Sequence, residues 1–191
     1  MSCLLSLMKK LLLVISLWAA ASALTLVGAQ DAKPLSLAPY FPTPTVVVKA
    51  MLELGELQPG ELLYDLGSGD GRIVIMAAQE FGARAVGFEI DPKLVYQSRE
   101  RITKRKLDAL ATIAEQDLME ADFSKPDLIT VYLLPSSNDK IQPLLEDQVK
   151  SGARVVSHDF TFRGWEIAKE IVVKDPTDEE IPTHKLFLYR R

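Results

Sequence analysis

Residues 61–71, Glu-Leu-Leu-Tyr-Asp-Leu-Gly-Ser-Gly-Asp-Gly, constrain the fold more than any other stretch of this chain. A short apolar run reaches Asp65 and breaks into three alternating glycines, Gly67, Gly69 and Gly71. Arg72 then opens a segment with helical apolar spacing at Ile73, Val74, Ala77, Ala78 and Phe81. A strand, a tight glycine turn and a helix N-terminus in that order let backbone N–H groups approach a nucleotide-like ligand.

The flanking sequence alternates in the same way. The spacing predicts strands at 62–66, 85–90, 112–115, 128–134 and 154–158. Between them lie a helix from Arg72 to Phe81 stopped by Gly82, and a helix that Asp91-Pro92 starts and that runs to about Lys106. A third, capped by Ser136 or Ser137, runs through Val149. Thr43 or Thr45 caps an earlier helix to about Leu54, with Val46, Val47, Ala50, Met51 and Leu54 on its buried side. Two closing strands, near 166–174 and 185–190, lack an intervening helix and can pair antiparallel. The expectation is an α/β fold with a mostly parallel seven-stranded sheet and an antiparallel terminal strand pair. Its expected extent is 45–191, behind a proline-rich linker over 30–44 and a leader over 1–29.

The leader reads as a signal peptide. Lys9-Lys10 precede an apolar stretch from Leu11, and small residues follow at Ala21-Ser22-Ala23 and Val27-Gly28-Ala29. The expected destination is export, periplasmic or secreted; the alternative is a membrane anchor with the domain outside the cytoplasm. The net charge is −4, and losing Lys9 and Lys10 with the leader makes it −6. That balance gives no general attraction to nucleic acid. The one cysteine, Cys3, lies within the leader, so disulfides, thiolate metal sites and cysteine nucleophiles are excluded from the remainder.

A dinucleotide fingerprint needs glycine at its first, third and sixth positions, and counting from Gly67 the sixth is Arg72. No Gly-Lys-Ser/Thr follows, which removes a Walker loop. Glu89 ends its strand 24 residues after Asp65, where a carboxylate can accept from ribose hydroxyls, and Ile90 offers an apolar face to adenine. Asp117, past the third strand, can accept from an adenine amino group, with Glu115 or Asp122 as alternatives. Asp91 is explained by helix capping alone. The fourth strand runs into Val131-Tyr-Leu-Leu-Pro-Ser-Ser-Asn138 rather than the Asn/Asp-Pro-Pro-aromatic sequence used to methylate nucleobase and glutamine amides and amines. His158 ends the fifth strand on the same rim, where it can bind substrate, steer a proton or simply pack. The only other histidine is His184, so spacing gives no reason to expect a His/Asp metal cluster, and no metal is assigned.

Tyr40-Phe-Pro-Thr-Pro44, Tyr64-Asp-Leu-Gly-Ser-Gly-Asp-Gly-Arg72, Val86-Gly-Phe-Glu-Ile-Asp-Pro92 and Ser157-His-Asp-Phe160 resemble bacterial class I methyltransferases. They are also similar to the mitochondrial lysine methyltransferases that act on the ATP synthase c-subunit and the adenine nucleotide translocator. The resemblance covers about residues 38–190 and implies a Rossmann-like fold with S-adenosylmethionine as cofactor. By it, Asp65, Gly67, Gly69 and Glu89 contact the cofactor, and the Tyr40–Thr43 segment folds over the methionine end; from their own positions in the sequence, Ser68, Gly71, Ile90 and Asp117 join the cofactor side. Candidates for the catalytic side are Tyr40, Thr43, Ser136, Asn138 and His158. The implied reaction is an in-line displacement that depends on alignment more than on a dedicated base. The expected acceptor is a protein lysine. A small molecule, or an exported binding module that has lost catalysis, are the competing readings.

Overall fold

The computed structural model describes residues 40–177 and 179–191; the leader and most of the proline-rich linker lie outside the described residues. The chain runs α1 (Thr45–Leu54), β1 (Leu62–Leu66), α2 (Arg72–Phe81), β2 (Arg84–Glu89), α3 (Pro92–Lys104) and β3 (Ala111–Glu115). It continues through β4 (Leu128–Val131), α4 (Pro135–Gln148), β5 (Arg154–His158), β6 (Lys169–Lys174) and β7 (Thr183–Arg190). A short 3₁₀ turn, Leu118–Glu120, follows β3.

The strands form one seven-stranded sheet in the order β3-β2-β1-β4-β5-β7-β6. The first five are parallel, while β7 pairs antiparallel with both β5 and β6. The central strands β4 and β5 are buried at every position, as strands covered on both faces must be. One apolar layer joins α1, α2 and α3 to the sheet through Val47, Met51, Val74, Ala77, Val95 and Ile102. The other joins α4 to the opposite face through Phe123, Ile141, Leu145, Val155 and Tyr189. Strand order reverses between β1 and β4, so their carboxyl ends open a crevice at the topological switch point.

Several boundaries differ from the sequence expectation for physical reasons. Strand β4 stops at Val131, because Leu133 turns its side chain toward Gly67 and Pro135 takes the first position of α4. There its missing N–H removes nothing, so Leu134 is the N-cap rather than Ser136 or Ser137. Neither Thr43 nor Thr45 caps α1; Pro44 stands at the cap, and Thr43 is buried against other partners. The buried stripe of α1 is Val47, Val48, Met51, Leu52 and Leu54, leaving Val46 exposed. Asp91 does cap α3, accepting from Lys93 N at 2.8 Å.

Candidate active site

The turn after β1 is held by its own backbone. Gly67 N and Ser68 N donate to Phe88 O at 3.0 and 2.9 Å, and Gly71 N donates to Ser68 O at 2.9 Å. Gly69 N donates to Glu89 Oε2 at 2.7 Å. These N–H groups are therefore committed within the protein, unlike the open donor nest that cradles a pyrophosphate. Gly69 has φ +54°, and a Cβ there would sit 2.8 Å from the Tyr40 ring, so only glycine leaves room between turn and ring.

Asp65, beneath the turn, is almost fully buried. Among the described residues its hydrogen-bond partner is Thr130, whose hydroxyl donates to Oδ1 at 2.8 Å. Burial pushes its carboxyl up to about 7; the Thr130 bond opposes this, and Glu89 and Asp70 add to it. Glu89 stands at the end of β2 with Oε1 accepting from Ile90 N and Asp91 N at 2.8 and 2.9 Å. Its carboxylate thus ties the turn to the start of α3 while remaining half-exposed toward the crevice rim. Gln116 N donates to Glu89 O at 3.0 Å, which brings the exit of β3 and neighbouring Asp117 to the same rim. Asp117 also caps the 3₁₀ turn, accepting from Met119 N at 2.9 Å. Of its alternatives, Glu115 is exposed at the end of β3, and Asp122 is bonded into its own turn with Ser124 N at 2.9 Å.

The residues least visible in the sequence are those that clamp the turn. Asp70 is buried and receives Arg72 on both oxygens, Nε at 2.9 Å and Nη2 at 2.8 Å, with Arg101 Nη1 on Oδ2. Burial alone would raise its carboxyl, but Arg72 and Arg101 outweigh that and hold it at about 2. Arg72 Nη1 also donates to Thr43 O at 2.7 Å, fastening the N-terminal segment over the turn. Tyr40 lies beside Asp70 and Arg72, and its hydroxyl is pushed up by burial and by Asp70. The signal for the clamp was Asp70-Gly-Arg72 itself, although the third member, Arg101, comes from α3.

Across the crevice the β4 and β5 exits carry aromatic rings. Tyr132 packs on His158 at 3.8 Å between centroids, meets Phe41 edge-on at 6.5 Å and stacks near Phe160 at 6.3 Å. His158 is buried, with Nδ1 3.5 Å from Thr43 Oγ1. Burial pushes its imidazole down to about 4, against the pull of Asp159. Asn138 is buried behind this wall, its Nδ2 donating to Phe160 O at 3.5 Å, whereas Ser136 is exposed at the start of α4. The structure also corrects the expectation that a His/Asp cluster is improbable. Antiparallel pairing of β5 with β7 puts His158 opposite Leu186, so His184, two residues earlier, shares its face. The two rings meet at Nε2···Nδ1 3.0 Å, beside Asp159.

The described residues fit a cationic, nucleoside-bearing cofactor. A buried carboxylate whose hydrogen-bond partner among the described residues is the neutral Thr130 hydroxyl calls for a cation. A glycine turn over a buried carboxylate at the switch point of this sheet fits a class I S-adenosylmethionine-dependent methyltransferase, and the comparisons with known proteins bear this out. Residues 65–169 match the family described as the ANTKMT methyltransferase domain, and the chain belongs to that family. It is 39% identical over 152 residues to a protein-lysine N-methyltransferase of Saccharolobus islandicus, covering 79% of this chain and 92% of that one. It is 35% identical over 127 residues to the ATP synthase c-subunit lysine N-methyltransferase of Xenopus laevis, covering 66% of this chain and about half, 55%, of that protein. A solved structure described as an RNA methyltransferase from Salinibacter ruber, in complex with S-adenosyl-L-homocysteine, superposes with TM-score 0.71 at 43% identity. It covers 78% of this chain and 93% of its own.

Proposed function

We propose that this methyltransferase modifies a lysine side chain of a protein acceptor. The observation that carries this reading is the aromatic cluster of Phe41, Tyr132 and Phe160 at the exits of β4 and β5, the strands beside the glycine turn's own β1. Such a wall packs a lysine's aliphatic stem, and burial there beside the cofactor's positive sulfonium would favour the neutral amine that must attack. Bound S-adenosylmethionine supplies an electrophilic sulfonium methyl. The chain's part is alignment: Asp65, beneath the turn of Gly67, Ser68, Gly69 and Gly71, would hold the cationic methionine end, with the glycines giving it close approach, and Glu89, Ile90 and Asp117 would hold the nucleoside. Tyr40 and Thr43, fastened by Arg72, cover the junction and exclude water. Exposed Tyr40, Phe41 and Leu134 around the opening suit docking of a large partner. The archaeal and vertebrate relatives named as lysine methyltransferases support the same acceptor.

The description of the Salinibacter ruber protein favours a second reading, an RNA acceptor. Against it stand the excess of acidic over basic residues and the absence of the Asn/Asp-Pro-Pro-aromatic sequence after β4. Transfer of labelled methyl from the cofactor to a cell extract decides between them. The expected product is destroyed by protease, survives ribonuclease and yields methyl-lysine on hydrolysis. A ribonuclease-sensitive product, or label only in small molecules, overturns the lysine assignment.

For location we propose export, or anchoring with the domain outside the cytoplasm, on the strength of the Lys9-Lys10 and apolar leader pattern. Fractionation with N-terminal mass analysis of the native protein tests it; an intact soluble cytoplasmic chain would contradict it.

A further inference from the structure

The two histidines and Asp159 are brought together by the register of β5 on β7, and the reaction outlined above does not use His184 at all. Three acceptor-capable atoms converge there: His158 Nε2 to His184 Nδ1 at 3.0 Å, His158 Nε2 to Asp159 Oδ2 at 3.3 Å, and His184 Nδ1 to Asp159 Oδ2 at 3.5 Å. A tetrahedral cation about 2.0–2.1 Å from each ligand sets such atoms about 3.3 Å apart, so the triangle has the size that such an ion needs once the proton between the rings has left.

The surroundings favour a cation over a plain hydrogen-bonded pair. Both rings are buried, and the facing nitrogens share at most one proton between neutral imidazoles, next to a carboxylate that also needs a donor. Among the described residues, the hydrogen-bond partner of the His184 ring is His158, while its Nε2 is buried without one. Thr43 Oγ1 lies 3.5 Å from His158 Nδ1, so the tautomer with the proton on Nδ1 has an acceptor there and turns the Nε2 lone pair toward His184 and Asp159. Asp159 is fixed by Lys185 N, which donates to Oδ1 at 2.8 Å, so that Oδ2 faces the histidines. It is also the partly exposed member, giving an ion a way in and a fourth position for water.

We propose that His158 Nε2, His184 Nδ1 and Asp159 Oδ2 form a binding site for one divalent transition cation of the zinc type. Two imidazoles with one carboxylate select such an ion over magnesium or calcium, which take oxygen ligands. Bound there, the ion would join the exit of β5 to the start of β7 directly behind Tyr132 and Thr43, bracing the acceptor wall from the side opposite the cofactor.

Titration of the untagged, metal-stripped full chain with Zn²⁺ by calorimetry, and with Co²⁺ by visible absorption, tests the site. The expected result is one ion per chain and the intense spectrum of four-coordinate cobalt. D159N and H184Q should each weaken affinity at least about 10-fold, with S-adenosylhomocysteine binding retained as proof of fold. Asn tolerates the left-handed backbone that Asp159 adopts at φ +58°, so D159N decides the matter if H184Q does not fold. Absence of stoichiometric binding in the parent chain, or binding unchanged in D159N, overturns the proposal.

Discussion

The two sides of the crevice are built by opposite means. The centre of the cofactor side is a continuous piece of chain, β1, turn and α2, whose geometry is closed by hydrogen bonds from Gly67, Ser68 and Gly71 to oxygens of the turn and of β2. The acceptor side is gathered from distant segments: Phe41 from the N-terminal stretch, Tyr132 after β4, His158 and Phe160 at the β5 exit, and His184 at the start of β7. A cofactor common to many enzymes is served by a local, rigid device. A particular acceptor is served by surfaces that can vary without disturbing that device. Arg72 bridges the two, holding Asp70 on one side and Thr43 O on the other.

That division can be broken most sharply at Asp65. Asp65→Asn keeps the Thr130 bond and the volume but removes the buried charge, and is expected to weaken cofactor affinity about 100-fold, about 2.7 kcal/mol. Calorimetry reads this directly. In the parent chain the carboxyl titrates at about 7, so cofactor affinity should rise as pH climbs through that value and then level, with proton release on binding. The same raised value means that the free chain loses stability as pH rises from 3.8 toward about 7 and is flat above. Asp65→Asn should remove both slopes; a parent chain whose affinity is level from about pH 5.5 to 8.5 would contradict the assignment.

Gly69→Ala comes next. The strained backbone and the Tyr40 ring 2.8 Å from the new methyl should together cost about 2 kcal/mol, divided between lower melting temperature and weaker cofactor binding. Unchanged binding would show that the ligand does not pass between turn and ring.

At the bridge, Asp70→Asn leaves Arg72 and Arg101 without their anion and should destabilise the fold by about 1.5 kcal/mol, discounted for the partial exposure of both arginines. Because the Asp70 carboxyl is held at about 2, its stabilisation is complete above the usual 3.8 and is lost as pH falls between them. Acid melting curves of parent and variant should therefore converge toward about pH 2 and diverge by about pH 5.

On the opposite wall, Tyr132→Leu keeps apolar bulk and removes the ring face. It is expected to lower kcat/KM for the acceptor about 10-fold while leaving S-adenosylhomocysteine affinity within about twofold. Equal losses in both measurements would mean that the two sides are not separable.

Much of the cofactor side was legible because its signals are local. The spacing Asp65-x-Gly67-x-Gly69-x-Gly71, the strand-end Glu89 and the Asp91-Pro92 helix start all report conformations that adjacent residues dictate. The expected roles of Asp117 on the cofactor side and of Ser136 on the catalytic side rested on element ends. The structure puts Asp117 in a cap at the rim and leaves Ser136 exposed on α4.

The sequence by itself determined the α/β alternation, the glycine turn and the acidic residues around it, since φ preferences, caps and apolar periods act over a few residues. The tertiary structure alone decided that Arg101 reaches Asp70, that Tyr132 lies on His158, and that His184 meets His158 from 26 residues away. Those contacts depend on sheet order and antiparallel register, and register is fixed by packing of the whole sheet, which no local pattern encodes.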